Sequence, residues 1–333
     1  MTDAELREAL RAMGLLPPGE TPRLTPLAGG VSSEIWRVDL ARGPICLKRA
    51  LAKLRTERDW FAPVERWRYE YAWFEVAGEI IPTAVPRLLG ADPARRLFAM
   101  EFLDPSRHRV WKSDLLGGQV DIAVAAAVGR NLAAIHAGTA GRRDIAERFR
   151  SDEIFLAIRL DPYLGEAARR HPDLAPALHA LIERTAATRL ALIHGDVSPK
   201  NILIGPDGPV FLDAECACYG DPAFDLAFCL NHLLLKFLAS PQATRDLSAS
   251  FVALRDAYLS GVTWEPAYSI ESRAASLLPG LLLARVDGKS PVEYVTAERD
   301  KELIRRVARP LLGSPPSRLD IVRNAWEAGF GSR

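Results

Sequence analysis

The chain has 333 residues but only four cysteines, three methionines and six histidines. Four cysteines over this length exclude a disulfide-built scaffold. Cys216 and Cys218 form a C-x-C with no further Cys or His at ligand spacing, so the thiols read as small buried residues and not as a zinc site. An excess of one charge is also missing: 43 Lys and Arg stand against 42 Asp and Glu, a formal net charge of +1. A chain without a basic field is not expected to bind nucleic acid. No uninterrupted apolar run is long enough to span a bilayer; residues 277–284 are too few and include Pro279. The first residues carry no apolar core of the signal-peptide kind, which points to the cytoplasm. Internal repeats and low-complexity tracts are absent. What is present is ordinary for a globular protein, 48% hydrophobic and 26% charged, at a length that favours two lobes; the expected assembly is a monomer or homodimer.

Residues 3–13 have the spacing of a short amphipathic helix, with Leu6, Ala9, Leu10 and Met13 on one face. Strand signals follow over residues 23–27, 34–40 and 44–51, then helical periodicity over 64–76. Two more strands, 85–89 and 97–103, are expected to be joined by a turn at residues 90–93. After Asp104 and Pro105 the character changes. Residues 119–137, 151–160 and 173–188 read as helices, and everything from Pro222 on is helical, with breaks at Pro241, Pro266, Pro279, Pro291, Pro310 and Pro315–Pro316. The expectation is a bilobal α+β fold. Residues 1–103 form a small antiparallel lobe carrying one long helix, residues 104–333 a larger helical lobe, and a ligand cleft lies between them.

The chemistry concentrates in Ile193-His194-Gly195-Asp196, with Asn201 five residues on and Asp213 twelve beyond that, at the ends of short apolar runs. Phosphoryl transfer from a nucleotide needs that set: one carboxylate to orient the acceptor hydroxyl and take its proton, an amide oxygen and a second carboxylate to hold Mg²⁺. Asp196 is the candidate base; Asn201 and Asp213 are candidate metal ligands. Glu215 lies on the same side as Asp213 if the chain stays extended there, which makes it a further ligand candidate. Gly29, Gly30, Ser32 and Ser33, between two strands, are suited to cover phosphates with N–H and hydroxyl donors. Lys48 sits in mid-strand among apolar neighbours, where a charge is costly unless paired. A helical acid supplies the pair, with Glu70 the first candidate and Glu75 its competitor. Backbone groups from Glu101 to Leu103 are placed to read an adenine edge. ATP and Mg²⁺ are the expected cofactors.

Together these residues resemble the aminoglycoside phosphotransferase and choline kinase superfamily, the small-molecule branch of the protein-kinase-like fold. The resemblance covers roughly residues 20–235. It rests on His194-Gly195-Asp196…Asn201, on Asp213-Ala214-Glu215, and on Gly220-Asp221-Pro222 followed by Asp225. It implies that Asp196 is the base, Asn201 and Asp213 ligate metal and Lys48 contacts phosphate. It implies too that His194 anchors the loop and that Asp225 is a buried carboxylate holding it. Residues 211–220, 224–235 and 283–288 look similar to methylthioribose kinases, although the catalytic loop Val197-Ser198-Pro199-Lys200-Asn201 follows the general superfamily pattern.

Gly220-Asp221-Pro222 arrives seven residues after Asp213, too soon for the activation segment on which protein kinases seat a peptide. A small hydroxylated acceptor is therefore the expected partner. From Leu230 to the end there are 14 Lys and Arg against 11 Asp and Glu, which favours a neutral or anionic, sugar-like acceptor over a polycation. Asn231, His232 and Arg285 are the candidate acceptor contacts, with Asp287 and Lys289 behind them. The alternatives are an aminoglycoside-inactivating kinase and, outside enzymes, a nucleotide-binding pseudokinase.

Overall fold

The structure is a computed structural model that describes residues 1–27, 32–53 and 62–332. Helix α1 (Asp3–Ala12) opens with a capping box between Thr2 and Glu5 and buries Leu6, Ala9 and Leu10. Strands β1 (Arg23–Pro26), β2 (Ser33–Leu40), β3 (Gly43–Ala50), β4 (Leu88–Asp92) and β5 (Leu97–Glu101) form one antiparallel sheet in the order β1-β2-β3-β5-β4, and α2 (Arg66–Ile80) lies between β3 and β4 in sequence. Side chains alternate across a strand, so β3 serves two layers. Ile45 and Leu47 face the cluster containing α1, while Cys46 and Ala50 join the cluster containing Trp73 and Phe74 of α2.

Beyond β5 come β6 (Arg109–Val110), α3 (Trp111–Leu116), α4 (Ile122–Thr139), α5 (Arg143–Arg148) and α6 (Asp152–Phe155). A wide π-helical stretch, Leu156–Gly165, then runs into α7 (Glu166–Arg170) and α8 (Ala175–Ala187). Short strands carry the middle of the chain: β7 (Ala191–Ile193) pairs with β10 (Cys218–Gly220), while β8 (Ile202–Gly205) pairs with β6 and β9 (Gly208–Phe211). Four long helices and one shorter one complete it: α9 (Pro222–Ala239), α10 (Thr244–Ser260), α11 (Ala267–Asp287), α12 (Glu298–Gly313) and α13 (Leu319–Gly331). By length and composition α9 is apolar enough to cross a membrane, and here nearly all of it is buried inside the protein.

Two expectations need correction. The turn between β4 and β5 is not at residues 90–93: Gly90 to Asp92 pair with Ala99 to Leu97 across a bulge, and the chain turns at Pro93 to Arg96, Arg96 having φ of 57°. Pro279 and Pro310 do not break their helices. Each removes one backbone donor, but α11 is buried almost throughout from Ala274 to Asp287, where packing on all sides outweighs a loss of about 3 kcal/mol, and Pro310 falls in the last turn of α12, where little helix lies beyond it.

Candidate active site

Lys48 projects from β3 on the α2 side of the sheet. Its Nζ lies 2.6 Å from Glu70 Oε1 and also donates to Asp213 Oδ1, joining the sheet to the helical part of the chain. On α2, Arg66 and Glu70 are one turn apart and share a face. Glu75 lies five residues past Glu70 on another face and pairs with Arg148. Glu70, not Glu75, is therefore the acid beside Lys48. Burial pushes the Glu70 carboxyl up to about 7 despite Lys48. Burial acts the same way on Asp213, yet Lys48 and Lys200 outweigh it and hold that carboxyl well below the usual range.

The segment carrying Asp196 leaves β7 through a turn that only glycine fits. Gly195 has φ of 77°, and a Cβ there would stand 2.7 Å from the carbonyl oxygen of Cys216. Fully buried Asp225, in the first turn of α9, accepts from the N–H of His194 at 2.7 Å and of Gly195 at 2.8 Å. The His194 ring packs edge-on against Trp73. Its Nδ1 accepts from the Asp196 N–H at 3.1 Å, so Nε2 carries the proton that goes to the Leu212 carbonyl at 3.0 Å. Burial lowers the proton affinity of His194, in keeping with an anchor and not a base.

Asp196 has an asymmetric carboxylate. Oδ2 receives Arg159 Nη2 at 2.6 Å, Asn201 Nδ2 at 2.8 Å and Lys200 Nζ at 3.3 Å; among the described residues Oδ1 receives none. With Nδ2 of Asn201 committed, its Oδ1 accepts no bond from the described residues. The Leu212 N–H donates to the Asn201 carbonyl at 2.8 Å, which ties that residue to the approach to Asp213. Asp213 has φ of 65°, a conformation uncommon outside glycine and of the kind that collects at functional sites.

Of the remaining expected residues, Gly29 and Gly30 lie outside those described. Ser32 and Ser33 are buried; the Ser32 carbonyl accepts from the Leu51 N–H and from Arg66, and the Ser33 hydroxyl has no partner among the described residues. Glu101 commits both its N–H and its carboxylate to Arg87. Leu103 is half-buried and its N–H and C=O meet no described partner, a free pair of the kind an adenine edge needs. Glu215 accepts from Arg66 Nε at 2.8 Å, and Arg66 also spans the carbonyls of Ser32 and Leu51. His232 and Arg285 line one recess, which Asn231 does not, its amide being buried with neither atom bonded. Asp287 is spent on Arg305 and His171. Sequence reading does not reach Arg66, Arg159 or Lys236. The signal for the last two is the one that marked Lys48, a lone cation in an apolar run.

No group of three or more His, Cys, Asp or Glu clusters for a metal among the described residues. The donor set is instead an amide oxygen with one or two carboxylates. That suits Mg²⁺, which takes few protein oxygens and completes its shell with phosphate and water.

A five-stranded antiparallel sheet with its lysine–glutamate pair, set against a helical lobe that carries the Asp/Asn/Asp set, is the bilobal protein-kinase-like fold. The chain belongs to the phosphotransferase enzyme family, whose sequence pattern matches residues 23–251. It is 26% identical over 223 residues to a methylthioribose kinase of Erwinia tasmaniensis, covering 59% of this chain and 55% of the relative. A methylthioribose kinase of Escherichia coli is 25% identical over 257 residues, 67% of this chain and 61% of that one. The chain thus spans between half and two thirds of the length of these curated relatives. An amicoumacin kinase solved with AMP-PNP and Ca²⁺ superposes with a TM-score of 0.55 at 16% identity, covering 95% of each chain. An ethanolamine kinase of Plasmodium vivax gives 0.54 at 11% identity over 96% of this chain and 85% of that one. Both likenesses speak to the fold alone.

Proposed function

We propose that this protein is an ATP- and Mg²⁺-dependent kinase of a small hydroxylated metabolite, with a sugar-like acceptor favoured. In this reading residues 1–103 are the nucleotide lobe and residues 104–333 the acceptor lobe. The observation that carries it is the bond from Lys48 on the sheet to Asp213 on the other side of the cleft, with Asp196 and Asn201 on the same loop system. ATP would supply the phosphoryl group and Mg²⁺, on Asn201 and Asp213 with Glu215 beside them, would neutralise its charge. Lys48 orients the phosphates, held by Glu70. Asp196 Oδ1 takes the proton of the acceptor hydroxyl while Arg159, Lys200 and Asn201 fix Oδ2. The hydroxyl oxygen bonds to the γ-phosphorus, the bridging P–O bond breaks, and ADP leaves with its electron pair. The start of α9 nine residues after Asp213 leaves little chain for a peptide platform, which favours a small acceptor.

The direct test is an ADP-release screen over methylthioribose, other sugars, amino alcohols, hydroxy amino acids and aminoglycosides, with Mg²⁺ present and then chelated. Metal-dependent ADP release with one acceptor class is the expected outcome. Tight Mg·ATP binding with no turnover on any acceptor would move the protein to the pseudokinase reading. Lys48→Met should raise the KM for ATP at least about tenfold, the loss of one charged hydrogen bond. Unaltered nucleotide kinetics would remove Lys48 from the site.

A further inference from the structure

Helix α9 is the most buried long helix described, and it carries a charge. Lys236 follows three leucines, Leu233 to Leu235, and is 1% exposed. It shares a face of α9 with His232 one turn earlier. Both line a recess with Lys112 of α3, Arg285 of α11 and Lys200 of the catalytic loop. The recess is small, about 30 Å³, and holds one compact group and not a whole metabolite.

The balance of charge around it is one-sided. Lys112 pairs with Glu293, the one carboxylate in the lining, and Lys200 with Asp196. Among the described residues Lys236 has no carboxylate in ion-pair reach, and its Nζ rests 3.9 Å from the centre of the Tyr294 ring. Among the described residues Arg285 donates only to neutral groups, the Tyr163 hydroxyl at 3.1 Å and Ser290, and its buried Nε has no partner. Burying an unpaired cation is expensive, and two facing one recess make a site that an anion would complete.

We propose that this recess is an oxyanion-binding subsite, in which Lys236 and Arg285 grip a carboxylate or phosphate group carried by the acceptor. This rests on the kinase reading and narrows its substrate class to anionic hydroxylated metabolites. Lys200 reaches from the recess to Asp196 at 3.3 Å, so an acceptor held by its charged end extends toward the free Asp196 Oδ1. A polycationic aminoglycoside would meet like charges there. Lys236 also responds to an anion: burial, reinforced by Lys112, pushes its amine down to about 7, and a bound anion would restore the proton. The other charged and titratable groups facing it are Lys112, Lys200, His232, Arg285, Glu293 and Tyr294.

The test uses the full chain and two probes. Sulfate keeps its charge across the working range and is titrated by calorimetry from about pH 6 to about pH 8.5. Acceptors are compared in sets that share a backbone: glucose, gluconate and glucose 6-phosphate; glycerol, glycerate and glycerol phosphate. Expected are sulfate binding that weakens as pH rises through about 7, a loss of at least about tenfold in Lys236→Met, and a KM at least about tenfold lower for the anionic member of a set. Lys236→Met should raise that KM and leave the KM for ATP unchanged. Arg285→Gln gives the same readout should Lys236→Met fail to fold. Equal sulfate binding by variant and wild type overturns the proposal, as does preference for neutral or cationic acceptors in a protein that turns over. Lys236-dependent sulfate binding without ADP release from any acceptor would instead refute the kinase reading and leave the anion site standing.

Discussion

Asp196→Asn is expected to lower kcat by about 10²–10⁴, the range for losing a general base, with Mg·ATP affinity and folding retained. The reason lies in the two oxygens. Arg159, Lys200 and Asn201 all donate to Oδ2, so an asparagine must turn its carbonyl oxygen to that side. Its NH₂ then occupies the Oδ1 position, where the acceptor hydroxyl needs an acceptor and would meet a donor. Most of the local hydrogen bonding survives while the proton has nowhere to go. The check is ADP release at saturating substrates with nucleotide binding measured alongside; turnover within tenfold of wild type would end the assignment of Asp196 as base.

The second large effect is on stability. Asp225→Asn should cost about 2–4 kcal/mol and lower Tm by roughly 3–6 °C, with activity falling in step. Asp225 accepts on both oxygens, from Gly195 on Oδ1 and from His194 on Oδ2, where His136 Nε2 also lies at 3.3 Å. An amide has one oxygen. Whichever way it turns, its NH₂ confronts a backbone N–H with no water to take over, and the turn that aims Asp196 loses one of its two anchors. Thermal unfolding followed by circular dichroism measures the loss. An unchanged Tm would show that the loop is held by something other than this carboxylate.

Much of the candidate site was legible because the residue set expected for phosphoryl transfer is a local pattern. Asp196, Asn201 and Asp213 lie within 18 residues and their strands are short, so spacing alone nearly places them. Lys48 was legible for an energetic reason: a charge inside a strand must have a partner. Its partner was read as Glu70 ahead of Glu75, a choice helical periodicity could not fix firmly because it depends on how α2 is rotated against the sheet. Arg159 stands out as a lone cation in an apolar run, but where it points was not legible. It reaches Asp196 from a π-helical stretch, and a register with five residues per hydrogen bond is not written in a 3.6-residue periodicity. Two of the six expected proline breaks failed, Pro279 because a rule about isolated helices says nothing of a helix buried on every side and Pro310 because it falls in the last turn of α12, while Pro241, Pro266, Pro291 and Pro315–Pro316 do lie between helices. The acceptor contacts were the least legible. His232 and Arg285 meet only through the packing of α9 on α11, while Asn231, next to His232, does not line the recess.

The four cysteines, first met as an absence, provide a clock. All are reduced and buried, and burial pushes each thiol up, Cys46 to about 12. Thiolates react and thiols in a closed interior do not, so alkylation must wait for the chain to open around each sulfur. Cys46 sits on β3 in the sheet, whereas Cys216, Cys218 and Cys229 lie between the end of β9 and the middle of α9. Labelling rates at these two addresses would time the breathing of the sheet and of the catalytic core separately, in the native chain and without any engineered probe.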